Sequence, residues 1–343
     1  MAGRHRVLDS QLLPLLVASD PMGERIVRTG EVPVDAAGRR LDQVAVQLFP
    51  EYSRARLQRW IREGCLTVDG AAAEVRSTAR PGQLIRLDAG LEPEGEWQAT
   101  PMRLSVLYED ESVIVLDKPP GLVVHPAVGH ADDTLLNGLL ARWPELAAVP
   151  RAGIVHRLDR DTSGVLVVAR TISAQARLVA ALQAREVKRE YRAVVNGVPV
   201  AGGTIDRPLG RHPRDRQRMA VLASGGKEAV THFRVLERYR AHSLLAVTLE
   251  TGRTHQIRVH LAEAGFPVSG DPAYGGRVRL PRGATPELIA CLRLFRRQAL
   301  HALRLSFAHP IHGEPMAFEA PVPADMRELI TALAVDRDAC DAD

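Results

Sequence analysis

From residue 103 onward, apolar residues gather into short runs bounded by turn formers. LSVLYED, SVIVLDKP, GVLVVAR, YRAVVNG, GGTIDRP, AVTHFRVLE, SLLAVTLE and ALRLSFAHP each read as a strand. Between them the apolar spacing changes to three and four residues, predicting helices at TLLNGLLARW, SAQARLVAALQAR, THQIRVHLAEAG, TPELIACLRLFRR and ADMRELITALA. Successive strands joined by tight turns, rather than strict strand-helix alternation, predict an α+β domain around a mostly antiparallel mixed sheet. No fixed-period repeat interrupts this pattern.

Upstream, the pattern describes a second, smaller unit. IVRTGEVPV reads as a strand, and RRLDQVAVQLF as an amphipathic helix with Leu41, Val44, Ala45 and Leu48 on one side. A second helix starts at the N-cap Ser53, turns Leu57, Trp60 and Ile61 inward, and stops at Gly64. LTVDGAAAE then forms a hairpin about Asp69-Gly70, and QLIRLDA closes the sheet. The chain therefore divides into an extension at 1–25, a small α/β domain at 26–90, a Pro/Gly/Glu-rich linker at 91–102, the main domain at 103–334 and an acidic, frayed tail at 335–343. The first residues have the basic-then-apolar order of a secretory signal, but Asp9 and Pro14 interrupt it, which favours a flexible extension or a wrongly assigned start codon. No apolar run approaches the ~20 residues of a membrane span.

Composition adds three constraints. With 343 residues, 45% hydrophobic and 25% charged, the chain has room for two domains and a sizeable core. Its formal charge is only +4, so a nucleic-acid partner must be argued from where the cations lie. Arg39, Arg40, Arg54, Arg56, Arg59 and Arg62 crowd the two-helix segment; Arg211, Arg214, Arg216 and Arg218 surround Asp215; Arg293, Arg296 and Arg297 end another helix. Any one cluster is explained by a solvated helix face, but three together favour a polyanion partner. Lysine occurs only at Lys118, Lys188 and Lys227, a skew that codon bias explains as well as phosphate recognition does. Cys65, Cys291 and Cys340 lack CxxC spacing, which argues against a zinc ribbon, an iron-sulfur cluster or a disulfide scaffold and fits a reducing cytoplasm.

Three segments carry candidate chemistry. GIVHRLDRDTSGVLVVAR sets Arg157, Asp159, Arg160 and Asp161 in a charged loop that feeds an apolar strand. Guanidiniums beside a carboxylate favour its ionised form, as a nucleophile or electrostatic stabiliser requires. KREYRAVV puts Tyr191 among basic residues at the start of a strand. LETGRTHQIRVHLAEAG predicts a helix capped by Thr254 that carries His255 and Arg258 one turn apart on one face. His255 and His260 are spaced differently from an HExxH pair, and there is no P-loop or GxGxxG, so no metal and no cofactor is expected. Separately, an ion-pair loop and a packing tyrosine account for these features.

Together, in this order, HRLDRDTSG, KREYRAV and GRTHQIRVH resemble the three signature motifs of the RluA-type pseudouridine synthases. VPVDAAGRRLDQVAVQLFPEYSRARLQRWIREGCLTVDG resembles the small ribosomal-protein-like RNA-binding domain that several members carry. HPAVGHADDTLLNGLLARWP, GDPAYGG and RQALHALRLSFAHP are most similar to the RluD branch, which modifies uridines of large-subunit rRNA. The resemblance implies Asp159 as catalytic carboxylate and Arg157 as the residue that displaces the target base. It implies Tyr191 as packing on that base and Arg258 as pairing with the aspartate. It further implies an isomerase acting on 23S rRNA or the assembling large subunit, without cofactor, in the cytoplasm, and no sequence feature suggests other than a monomer. RNA contacts are expected from Arg39, Arg40, Arg54, Arg56, Arg59, Arg62, Arg211 and Arg214. The competing functions are a synthase for another rRNA or tRNA site, a non-catalytic ribosome-assembly factor and an RNA hydrolase.

Overall fold

The computed structural model describes residues 25–50, 52, 54–90, 97–127, 129–215 and 218–341. The extension at 1–24, the predicted cap Ser53, half of the linker and Arg216 lie outside the described residues. The chain forms two compact units, Met1–Glu92 and Pro93–Asp343.

In the first unit, β1 (Arg25–Glu31), α1 (Leu41–Leu48), α2 (Arg54–Arg62), β2 (Leu66–Val68), β3 (Ala71–Ala72) and β4 (Leu84–Gly90) build an antiparallel sheet of order β1-β4-β2-β3. Period-two burial along β4 sends Ile85, Leu87 and Ala89 inward, where they meet Leu41, Val44 and Ala45 of α1 and Leu57, Trp60 and Ile61 of α2. Gly64 follows α2 with φ 75°, the left-handed stop expected of it. Asp69 and Gly70 both have positive φ, as a two-residue hairpin turn of matching twist needs. The N-terminal strand is shorter than the pattern suggested: it ends at Glu31, and Val34–Ala36 form a single 3-10 turn.

The second unit contains β5 (Ser105–Glu109), β6 (Val113–Lys118), α3 (Leu135–Arg142), β7 (Ser163–Ala169), α4 (Ile172–Gln183), β8 (Lys188–Asn196), β9 (Gly203–Asp206), β10 (Leu209–Arg211), β11 (Met219–Val221), β12 (Val230–Arg238) and β13 (His242–Leu249). It continues with α5 (Gln256–Glu263), α6 (Pro286–Leu294), β14 (Leu300–Ala308), β15 (Pro315–Glu319) and α7 (Ala324–Asp341). The main sheet runs β5-β6-β7-β14-β8-β13-β12-β9, with β15 added to β14. Its pairings are antiparallel except β7 with β14. This is the mixed, mostly antiparallel α+β arrangement expected from the sequence.

The continuous apolar runs of β6 and β7 follow from burial on both faces. Ile114, Leu116, Leu166 and Val168 enter the larger core, while Val113, Val115, Val165 and Val167 enter a second core on the opposite face with Ala174 and Leu178 of α4. Leu166 is fully buried, so truncation to Ala costs ~2–5 kcal/mol. The expected acidic tail is instead the end of α7. Met326, Leu329 and Leu333 bury its inner face, and the Asp336 carboxylate accepts Arg240 Nη1 at 3.2 Å and the Thr285 N–H at 2.7 Å. That buried acceptor holds the helix past the point where composition suggested fraying.

Candidate active site

Residues 156–162 form the loop entering β7, and its backbone is fixed from behind. Gly164 has φ 115°, and a Cβ there would lie 2.1 Å from the Ala302 carbonyl oxygen, so glycine is what permits the close parallel approach of β14. At the end of β6 the buried Lys118 Nζ donates to the carbonyls of Pro119 (2.8 Å), Leu122 (2.9 Å) and Arg160 (2.9 Å). The Thr162 N–H donates to the Asp159 carbonyl at 3.0 Å, and Arg297 Nη1 to that of Asp161 at 3.1 Å. With its backbone so tied, the loop presents the Asp159 side chain to a cleft of about 670 Å³.

Among the described residues, a guanidinium engages only one oxygen of Asp159. Oδ2 accepts Arg258 Nη1 at 2.9 Å, whereas Oδ1 stands 3.9 Å from His255 Nε2, beyond hydrogen-bond reach. Arg258 is itself held by a fork: Nε and Nη2 donate to the two oxygens of Asp271 at 2.6 and 2.8 Å. Asp271 is buried and also accepts the N–H groups of Ala273 and Tyr274 through Oδ1. Burial opposes the Arg258 charge, but Asp271 and Asp159 outweigh it and raise its pKa. Tyr191 lies on β8, lines the same cleft and is 6% exposed; burial raises its pKa, so the phenol keeps its proton. Arg157 is exposed at the cleft wall.

The local reading of the third segment needs correction. Helix α5 begins at Gln256, and its N-cap is His255 in the left-handed region (φ 56°), not Thr254. The Gln256 side chain causes this: Oε1 accepts the Arg253 N–H and the Thr251 hydroxyl, and Nε2 donates to the Val230 carbonyl. His255 therefore sits at the helix head beside Asp159, with Nδ1 2.9 Å from the Tyr274 hydroxyl, which accepts the Met219 N–H. Burial lowers its pKa, leaving the imidazole neutral at pH 7.

Asp159, Tyr191, His255 and Arg258 lie within a stretch that matches a known family. A family described as RNA pseudouridylate synthase matches residues 112–263, and one described as S4 domain matches residues 39–85. Ribosomal large subunit pseudouridine synthase D of Pseudomonas aeruginosa is 55% identical over 318 residues, covering 93% of this chain and 99% of that protein. The protein of the same name from Vibrio cholerae is 51% identical over 316 residues, covering 92% of this chain and 97% of that one. The chain belongs to the RNA pseudouridylate synthase family. Among solved structures, Human RNA Pseudouridylate Synthase Domain Containing 4 superposes with a TM-score of 0.53 at 25% identity, covering 67% of this chain and 93% of that one.

In this pseudouridylate synthase, then, Asp159, Tyr191, Arg258 and Arg157 meet at one cleft. The expected basic surface is less uniform. Arg40 and Arg54 turn onto the buried Asp42, Arg59 pairs with Glu63 at 2.8 Å, and Arg56 is 5% exposed with its guanidinium over the Trp60 ring. Burial removes Arg56 from the exposed face on which the sequence placed it. Arg39 and Arg62 are exposed, as are Arg211 and Arg214 beside the β10-β11 hairpin. Arg297 is a second correction: it is buried and forks onto Asp325 at 2.7 and 2.8 Å. Sequence reasoning missed Asp271 and Tyr274, although both lie in GDPAYGG, because nothing local links that turn to Arg258 thirteen residues earlier.

Proposed function

We propose that this protein converts uridine to pseudouridine in large-subunit (23S) ribosomal RNA, free or within an assembling subunit. In that isomerisation the ribose C1′–N1 bond breaks, the uracil turns, C1′ bonds to C5, and the C5 proton leaves as N1 gains one. Atoms and electrons balance within the nucleotide.

The observation that carries this reading is Asp159: one oxygen is bound to a forked, charge-holding arginine, while the other faces a cleft of nucleotide size with no hydrogen bond to a described side chain. That suits a carboxylate that must stay anionic and approach an extruded nucleotide. Arg258 positions it, Tyr191 packs against the base from the buried wall, and Arg157 at the rim occupies the stack that the base vacates. The small domain offers backbone affinity through the exposed Arg39 and Arg62 and the partly exposed Arg59, and the main domain through Arg211 and Arg214, which offsets the few kcal/mol that base flipping costs.

The reading places the protein in the cytoplasm as a monomer. Pseudouridine mapping of rRNA from cells lacking the protein tests it: one or more large-subunit positions should lose the modification, and regain it with the wild-type gene but not with Asp159→Asn. An unchanged map, or a change confined to tRNA, overturns the substrate assignment.

A further inference from the structure

Among the described buried cations of the catalytic unit, one has its hydrogen bonds largely unmet. Arg258 forks onto Asp271, Arg297 forks onto Asp325, and Lys118 donates to three carbonyls. Arg189 is equally enclosed, at 9% exposed, yet its one hydrogen bond among the described residues is a long 3.4 Å contact from Nη2 to the Glu250 carbonyl. Its Nε is buried without a partner, and it pairs with no described carboxylate. The Glu250 carboxylate nearby is already engaged by Arg185 at 2.8 Å and His232 at 2.8 Å. A buried guanidinium left this way is costly, and such groups persist where a ligand completes them.

Its position says which ligand. Arg189 and Tyr191 alternate along β8, share one face and line the cleft that contains Asp159. Gly252 closes over it: a Cβ there would lie 2.5 Å from Arg189 Nη1, so the missing side chain is what gives the guanidinium its place. Arg157 and Arg253 line the same cleft, whereas a neutral uracil or ribose brings no charge to answer a buried cation.

We propose that Arg189 is the binding site for a phosphodiester of the extruded nucleotide, one of the two linkages flanking the target uridine. The proposal rests on the cleft receiving that nucleotide, as set out above. A planar guanidinium donates two parallel hydrogen bonds to phosphate, and anchoring the linkage in the cleft fixes the ribose relative to Asp159.

The test uses the full-length protein and a synthetic rRNA stem-loop that the wild type modifies, carrying one neutral methylphosphonate either 5′ or 3′ of the target. At one of these positions the neutral linkage should raise the wild-type KM about tenfold or more, with kcat changed less. Arg189→Met should show the same rise on unmodified RNA and no further rise at that position, and its salt slope should fall by about one. Because Met removes an uncompensated charge, its Tm should equal or exceed that of the wild type; a fall of several degrees would mark a structural arginine and overturn the assignment. Full multiplication of the two penalties at both positions overturns it as well. Gly252→Ala, which must displace the guanidinium, gives an independent check and should raise KM while Arg189→Met/Gly252→Ala adds nothing more. Failure of the wild type to form pseudouridine in any rRNA stem-loop would sink the functional reading itself, a result distinct from an active enzyme indifferent to the phosphonate.

Discussion

Two carboxylates, one in each unit, show how the same ingredients give a closed hydrogen-bond cluster in one place and, in the other, the open site to which the chemistry is assigned in the proposed function. Asp42 is fully buried in the small domain and saturated: Arg40 donates to both oxygens, and Arg54 and Gln58 crowd Oδ2 at 2.7 and 2.6 Å. Burial alone would push its pKa up, but the bonds from Gln58, Arg54 and Arg40 hold it below the ordinary carboxylate value. Asp159 also faces arginine, yet keeps Oδ1 clear of any hydrogen bond to a described side chain. A saturated carboxylate has no oxygen left to offer a ligand; a half-saturated one does, which is what the proposed function requires of Asp159.

Substitutions at the two sites should therefore separate activity from stability. Asp159→Asn should cut product formation roughly a thousandfold or more while RNA affinity stays within about twofold, measured by single-turnover assay and filter binding. Retained activity would return Asp159 to the same class as Asp42. Arg258→Ala should abolish activity and also cost the catalytic unit ~3–5 kcal/mol in urea unfolding, because Asp271 is left buried without its cation. Wild-type stability there would show that the fork is dispensable. Asp42→Asn should weaken the small domain by ~1–3 kcal/mol with kcat unchanged, a loss visible as an earlier unfolding step. A drop in kcat at saturating RNA would refute a purely structural role.

Acid should distinguish the units further. Burial lowers His156 to about 3, His125 to about 4 and His242 to about 4, all in the catalytic unit, whereas residues 25–90 contain no histidine. The unfolded chain takes up these protons first, near pH 6.5, so the stability from neutral histidine is complete above that pH. It is lost as pH falls toward the folded values, on the order of 1 kcal/mol per pH unit for the fully enclosed His242. Asp42 has the lowered carboxylate value and its contribution goes only below about pH 4. Chemical denaturation between pH 7 and 4.5 should weaken the catalytic unit while sparing the small one; parallel loss in both would contradict this. The smallest effect is at the surface: Arg59→Ala should lower the salt slope of RNA binding by about one or less, because Glu63 already offsets part of its charge.

Much of this was legible in the chain. Two-sided burial wrote β6 and β7 as continuous apolar runs, alternation located β4, and turn residues located the small hairpin. The motif loop announced Asp159. What stayed hidden depended on distance along the chain. Asp271 meets Arg258 only because the turn after α5 folds back, and Thr254 gave a sound local cap signal that the Gln256 side chain overrides from inside the fold. Arginine clustering marked positive segments but not their fate, since Arg54 closes on Asp42 twelve residues away and Arg297 on Asp325 twenty-eight away. The strands β10 and β11, three residues each, are too short for a periodic signal.

The two-pronged grip of Asp271 on Arg258 also limits how this position can drift. Lysine would preserve the charge, but an ammonium on a single stem cannot reach two carboxylates in one plane while keeping both in register. A lineage stepping from arginine to lysine here would keep the same formal charge and lose the ruler that sets where the Asp159 carboxylate stands, so the exchange tolerated at most solvent-facing sites is closed at this one.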